Sequence, residues 1–277
     1  MRLTELYPLF KSAIISVINL KSPVAYSFKG GLGSQIMDYI LFENLSQANP
    51  NLLIDSSYFT SGINQRNDSR LSQWKWELGE YGISLDSNAA KKKFTKKISL
   101  ANISKTEIQR AFSPENLINI LPNFPISEAT VNMVNAMNLP NSYGAIHVRQ
   151  GDYLSVSKRI INLNEVLKFA ERIYSLLPES IVMCTDSKFL DEEFFLFKKY
   201  LPNKNIILTD PLEKPQIVHA IMRKSSVLIT SNSTFSWTAG LLNVVQNSMV
   251  FTPNNFFGPD EGEINSVFKV PISWGLF

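Results

Sequence analysis

Three short segments gather residue types suited to holding an anionic ligand. The middle one reads Ala145-Ile146-His147-Val148-Arg149-Gln150-Gly151-Asp152-Tyr153. In a strand, alternate side chains share a face. Ala145, His147 and Arg149 then point one way, Ile146 and Val148 the other. His147 and Arg149 emerge together near the strand's carboxyl end. A guanidinium is a planar, permanent charge whose fork matches phosphate oxygens. Gly151 permits a turn, and Asp152 can orient Arg149 or accept a proton.

The late segment is Thr230-Ser231-Asn232-Ser233-Thr234-Phe235-Ser236-Trp237. An apolar strand runs into a hydroxyl-rich turn and then a helix. Ser231, Ser233 or Thr234 can cap that helix. Alternatively Asn232, Ser233, Thr234, Phe235 and Ser236 form a turn that binds a diphosphate at the helix N-terminus. The early segment is Gly30-Gly31-Leu32-Gly33-Ser34-Gln35, again between a strand and a helix. It reads as a plain tight turn or as a phosphate or sugar contact through Gly31, Gly33, Ser34 and Gln35. A dinucleotide fingerprint requires glycine where Ile36 stands, and a Walker loop requires a Gly-Lys pair that is absent. Asp186, in Thr185-Asp186-Ser187, also follows an apolar run. Its carboxylate can cap the next helix or accept from the N1 and N2 hydrogens of a guanine.

Periodicity supplies the elements that must position these groups. Val24–Phe28 and Leu52–Asp55 read as strands around a helix over 35–47. Residues 56–105 are irregular and aromatic-dotted, with Trp74 and Trp76 as packing anchors. Helices are expected near 114–121 and 127–137, then a linker at Asn138-Leu139-Pro140-Asn141-Ser142. Beyond it, strands at 143–148, 180–184, 205–208, 226–230 and 249–252 alternate with helices. That alternation indicates a doubly wound parallel sheet, which binds ligands at the carboxyl ends of its strands. The expected domains are 1–140 and 141–277.

Composition narrows the classes. A chain of 277 residues, 44% hydrophobic, can build a sizeable core. A net charge of +3 argues against a nucleic-acid-binding surface. Cys184 is the only cysteine, with His147 and His219 the only histidines, so a disulfide framework within the chain is excluded and a zinc site has almost no ligands to draw on. A single thiol fits a reducing, cytoplasmic compartment. The excess charge lies in Lys91-Lys92-Lys93-Phe94-Thr95-Lys96-Lys97. This run is either a solvated helix or loop face, or a contact for anionic lipid or a polyphosphate-linked acceptor. The apolar stretch Leu6–Leu20, interrupted by Lys11, is short for a membrane span and reads as a buried or interfacial helix.

Together the segments resemble glycosyltransferase family 11, the α-1,2-fucosyltransferases. That family shows Gly-Gly-Leu-Gly-Asn-Gln, His-x-Arg-Arg-Gly-Asp-Tyr and Asn-Ser-Thr-Phe-Ser-Trp-Trp in this order. The matching positions here are 30–35, 147–153 and 232–238. Ser34 stands in place of the first motif's Asn, Gln150 in place of the second Arg, and Thr238 in place of the second Trp. The resemblance implies a GT-B architecture, two facing Rossmann-like domains. The GDP-sugar would sit mainly on the C-terminal one and an oligosaccharide acceptor, lipid-linked or free, mainly on the N-terminal one. It implies fucose transfer from GDP-fucose with inversion to a galactose hydroxyl, for a surface polysaccharide, without a metal or other cofactor. Arg149 would bind phosphate, and Asp152 or Asp38 would be the base. The departures leave another GDP-sugar or linkage, or an inactive nucleotide-binding scaffold, as alternatives.

Overall fold

A computed structural model describes residues 24–60, 75–84, 96–150, 162–254 and 273–277. They divide into two compact units, one reaching Asn123 and one beginning at Phe124. Each is a parallel sheet flanked by helices. Two Rossmann-like units in one chain is the composition of the GT-B class.

In the first unit, β1 (Val24–Ser27) lies between β2 (Leu53–Asp55) and β3 (Lys96–Ile98). Helix α1 (Leu32–Ala48) carries buried Leu32, Ile36, Met37, Ile40, Leu41 and Leu45, an apolar stripe at helical spacing. The helices α2 (Lys105–Ala111) and α3 (Pro114–Ile120) pack against it. Ser104 and Ser113 cap these two helices by accepting from the backbone N–H of Glu107 and Asn116. Strand β3 falls where the sequence reads as irregular, and helix α2 starts at the last residue of that stretch. Lys96 and Lys97 are thus strand residues rather than a helix or loop face. The reason is long-range: β3 pairs with β1, and Lys97 Nζ reaches Asp55 Oδ2 at 2.8 Å. Lys91–Thr95, Leu6–Leu20 and Trp74 lie outside the described residues.

The second unit opens with α4 (Glu128–Ala136). It continues through β4 (Gly144–Val148), α5 (Leu163–Arg172), β5 (Ser180–Thr185), α6 (Asp191–Tyr200) and β6 (Asn205–Leu208). Then come α7 (Pro215–Arg223), β7 (Val227–Ile229), α8 (Thr234–Leu241), β8 (Met249–Thr252) and β9 (Gly275–Leu276). The spatial order is β6-β5-β4-β7-β8-β9, all parallel. The chain starts in mid-sheet, builds outward to β6, then returns to build the other half. This is the strand order of dinucleotide-binding sheets, with its switch point between β4 and β7.

Both faces of this sheet are covered. Ile146, Val148, Ile181 and Met183 pack with Val166, Leu167 and Phe197 on one side. Ala145, Val182 and Cys184 pack with Ile217, Ile221 and Ala239 on the other. The alternation expected for 145–148 is therefore observed, although both sets are core. Gly240 lets α8 approach closely, since a Cβ there would come within 2.9 Å of Trp274 and 3.0 Å of Val250. The division expected at residues 140 and 141 falls inside this unit. Helix α4 packs on α7, and Arg223 donates from Nη2 to the Phe124 carbonyl at 2.7 Å and from Nε to Leu242 at 3.0 Å. These bonds tie the segment before the linker to the second sheet.

Candidate functional site

The chemistry-bearing residues of the second unit meet where the switch point predicts. His147 is the penultimate residue of β4, Asp186 follows β5, and Ser231–Ser236 follow β7, so three adjacent parallel strands deliver them to one edge. His147 Nδ1 lies 2.7 Å from Ser231 Oγ, a bond that spans β4 and β7. His147 is buried. Burial pushes it down to about 3, and the Arg149 charge adds to this against an opposing pull from Asp186. It is therefore neutral at physiological pH and serves as a hydrogen-bonding group rather than a cation.

Arg149 and Asp186 form an ion pair, with Nη1 3.0 Å from Oδ2. Their side chains are 22% and 25% exposed, so the pair sits at the rim of the core. The other Asp186 oxygen accepts the backbone N–H of Gln150 at 2.8 Å. A role for Asp186 on a guanine edge competes with these two bonds; in this arrangement it positions Arg149. The Gln150 side chain turns away and donates to Glu193 Oε1 at 2.6 Å. Asp152 and Gly151 lie outside the described residues.

The hydroxyls of the late segment mostly build the turn. Ser233 caps α8 by accepting from the Phe235 N–H at 3.3 Å. Ser236 Oγ accepts from the Ser231 N–H at 3.2 Å and donates to the Ser233 carbonyl at 3.3 Å. Thr230 donates to Thr252, joining β7 to β8 at 2.8 Å. Asn232 and Ser233 are buried, Thr234 and Phe235 half-buried. The product is a rigid turn that leads backbone amides into the positive end of α8.

Sequence reading misses the supporting layer. Phe235 lies between two histidine rings, 5.6 Å from His147 and 5.4 Å from His219. Thr238 Oγ1 is close to the carbonyls of Thr234 and Phe235, at 2.8 and 3.1 Å. Its single hydrogen belongs to those carbonyls, so His219 Nε2, 3.2 Å away, must donate to it. The Thr238 departure is absorbed in the core, where the residue is fully buried. Burial drives His219 well below its ordinary value, with Arg223 and His147 contributing. Cys184 is a buried thiol pushed up to about 12 by burial, an inert core residue.

The first unit's glycine segment is organised differently. Gly30 has φ +76°, and Gly31 is the N-cap residue of α1. Gln35 donates to the carbonyls of Gly30 at 2.9 Å and Lys75 at 2.8 Å, and accepts from the Glu77 N–H at 2.8 Å. Its side chain is a strut and not a ligand hook. Asp38 accepts from Tyr26 Oη at 2.9 Å and from the Lys29 N–H at 3.1 Å. Burial raises its carboxyl to about 7, against the lowering effect of those two bonds. Both oxygens are engaged within the unit, which makes Asp38 a brace for the loop. Gly33 is buried and Ser34 half-buried at the start of α1.

Among the described residues there is no group of three or more His, Cys, Asp or Glu that could hold a metal ion. No described helix is long and apolar enough to cross a membrane.

No family model matches the chain. A curated relative, the O-antigen biosynthesis glycosyltransferase WbnK of Escherichia coli, is 24% identical over 292 residues, covering 82% of this chain and 93% of WbnK. Among solved structures, POFUT1 in complex with GDP-fucose aligns with a TM-score of 0.48 at 11% identity, over 92% of this chain and 97% of that one. A glycosyl transferase family 9 protein from Veillonella parvula aligns at 0.43 and 14%, over 91% and 90%.

Proposed function

We propose that the chain is an inverting glycosyltransferase that moves a sugar from a GDP-sugar to a glycan hydroxyl. The observation that carries this reading is the convergence at the β4–β7 switch point. There a held guanidinium, a neutral histidine and a helix N-terminus share one sheet edge. A nucleoside diphosphate needs that combination: a fixed cation for its oxygens and oriented backbone amides for the charge that develops on leaving. The likeness to WbnK, whose name is that of a glycosyltransferase, supports the same reaction class.

In the proposed step the acceptor oxygen forms a bond to the anomeric carbon as the bond from that carbon to the β-phosphate oxygen breaks. GDP departs with the electron pair. Arg149 and the start of α8 stabilise its charge, and the acceptor proton passes to a carboxylate. Asp152 is the preferred base, because Asp38 is already committed to Tyr26 and Lys29. In this reading the donor binds mainly through the second unit and the acceptor mainly through the first. GDP-fucose, an α-1,2 linkage to galactose and a surface polysaccharide such as O-antigen are the finer assignment, resting on the three motifs. Contact of Lys96, Lys97 and their neighbouring lysines with a lipid-linked acceptor at the inner membrane face belongs to it as well.

Transfer assayed with GDP-fucose and other GDP-sugars against an oligosaccharide array tests this directly. Arg149→Ala is expected to remove transfer and to weaken GDP binding by about 100-fold, the loss of a charge-assisted bidentate contact. Full activity in that variant would sink the assignment. Transfer lost in EDTA and regained with Mn²⁺ would overturn the metal-free step.

A further inference from the structure

We propose that Gln150 and Glu193 form a latch that positions Arg149, so that residue 150 serves the site through Arg149 rather than by touching the ligand. For the identity of that ligand this rests on the GDP-sugar reading above.

The latch consists of four linked contacts. Arg149 Nη1 is held by Asp186 Oδ2 at 3.0 Å. The Gln150 backbone N–H is held by Asp186 Oδ1 at 2.8 Å. Gln150 Nε2 is held by Glu193 Oε1 at 2.6 Å, a short bond to a charged acceptor. Glu193 Oε2 in turn accepts the Leu190 N–H at 2.7 Å, just before α6. The Glu193 carboxylate is thereby seated on a helix start, where the backbone dipoles favour negative charge. The chain leaving β4 is pinned at two points, by backbone to the end of β5 and by side chain to the start of α6.

A long, flexible arginine side chain has rotamer entropy to lose on binding a ligand. A guanidinium already fixed, on backbone already fixed, loses less of it. Glu193 caps α6 without help from Gln150, so the Gln150 amide is not needed for that helix. What it adds is a tether on the residue next to Arg149. A cation at position 150 would meet the Glu193 carboxylate in the same way. Position 150 therefore supplies an anchor whether it carries an amide or a guanidinium.

A carboxyl swap tests the latch on the full chain. Gln150→Glu sets two carboxylates against each other, and Gln150→Glu with Glu193→Gln restores the bond with donor and acceptor exchanged. Two quantities are read: GDP affinity by calorimetry, and the Arg149 Nε–Hε resonance in protein labelled with ¹⁵N-arginine, assigned by its loss in Arg149→Ala. Gln150→Glu is expected to lower GDP affinity about tenfold, the scale of a lost hydrogen bond to a charged group, and to shift or broaden the Arg149 resonance. The double variant should recover both, the affinity to within about threefold. An unchanged Arg149 resonance in Gln150→Glu, or no recovery in the double variant, would overturn the proposal. If the native chain does not bind GDP, the ligand assignment fails, and the Arg149 resonance alone decides the latch.

Discussion

The two units place polar side chains at the same place, the strand-to-helix turn at the carboxyl edge of a parallel sheet, and use them in opposite ways. In the first unit, Gln35, Asp38 and Tyr26 are turned inward and spent on the loop that carries them. In the second, Arg149 and Asp186 keep a charged pair at the rim, while Ser231, Ser233 and Ser236 hold the turn beside it. A residue that closes bonds within its own loop contributes rigidity, and only backbone is left to meet a ligand. A charged pair left partly exposed at the rim keeps chemistry to offer. Substitutions in the first unit should therefore read out in stability, and those at the rim of the second in binding.

The sharpest check is Gln35→Ala, which strands the Gly30 and Lys75 carbonyls and the Glu77 N–H. A loss of about 3 kcal/mol or more is expected in denaturant unfolding. Arg149→Ala should leave the unfolding midpoint nearly in place while weakening GDP binding about 100-fold. A large binding defect without destabilisation in Gln35→Ala would break the comparison.

Asp38 gives the next effect, through pH. Its folded-state value of about 7 lies above the ordinary 3.8, so the folded chain holds the proton more tightly than the unfolded chain. The associated stability is present at low pH and is lost as pH rises through about 7. Relative to Asp38→Asn, the native chain should lose on the order of 2–3 kcal/mol between pH 5 and 8, measured by urea melts. Equal pH dependence in the two proteins would remove the buried carboxyl from the account. Gly30→Ala should cost about 1–2 kcal/mol, because φ is +76° and the new Cβ would lie 3.1 Å from Ser34. Smallest is Ser233→Ala, about 1 kcal/mol from a lost helix cap, seen as a modest fall in melting temperature.

How much of this is legible in the sequence differs between the units for physical reasons. The β4–α8 stretch announces itself because each buried strand is a short apolar run between helices of clear period. The pairing of His147 with Arg149 follows from strand alternation alone. Strand β3 is not legible: Lys96-Lys97-Ile98 has no apolar alternation, and only its partner β1, far away in the chain, makes it a strand. The site residues divide likewise. That Arg149 and the α8 turn share an edge follows from the sheet order. That Asp186 is already bonded to Arg149 and Gln150, and that Gln35 and Asp38 are braces, depends on side-chain partners that spacing does not reveal. Glu193 carries a faint signal as an acidic residue in the first turn of α6, but nothing local couples it to Gln150.

The switch point has a consequence for assembly. Strand β4 is buried along its whole length and is flanked by β5 and β7, yet β7 follows it only after α5, β5, α6, β6 and α7. A chain folding from its N-terminal side can complete β4, β5 and β6 while the far edge of β4 still lacks its neighbour. That edge is an open row of amides and carbonyls beside apolar side chains, the surface on which chains aggregate. The crevice that would hold the diphosphate is also the seam that closes late during synthesis.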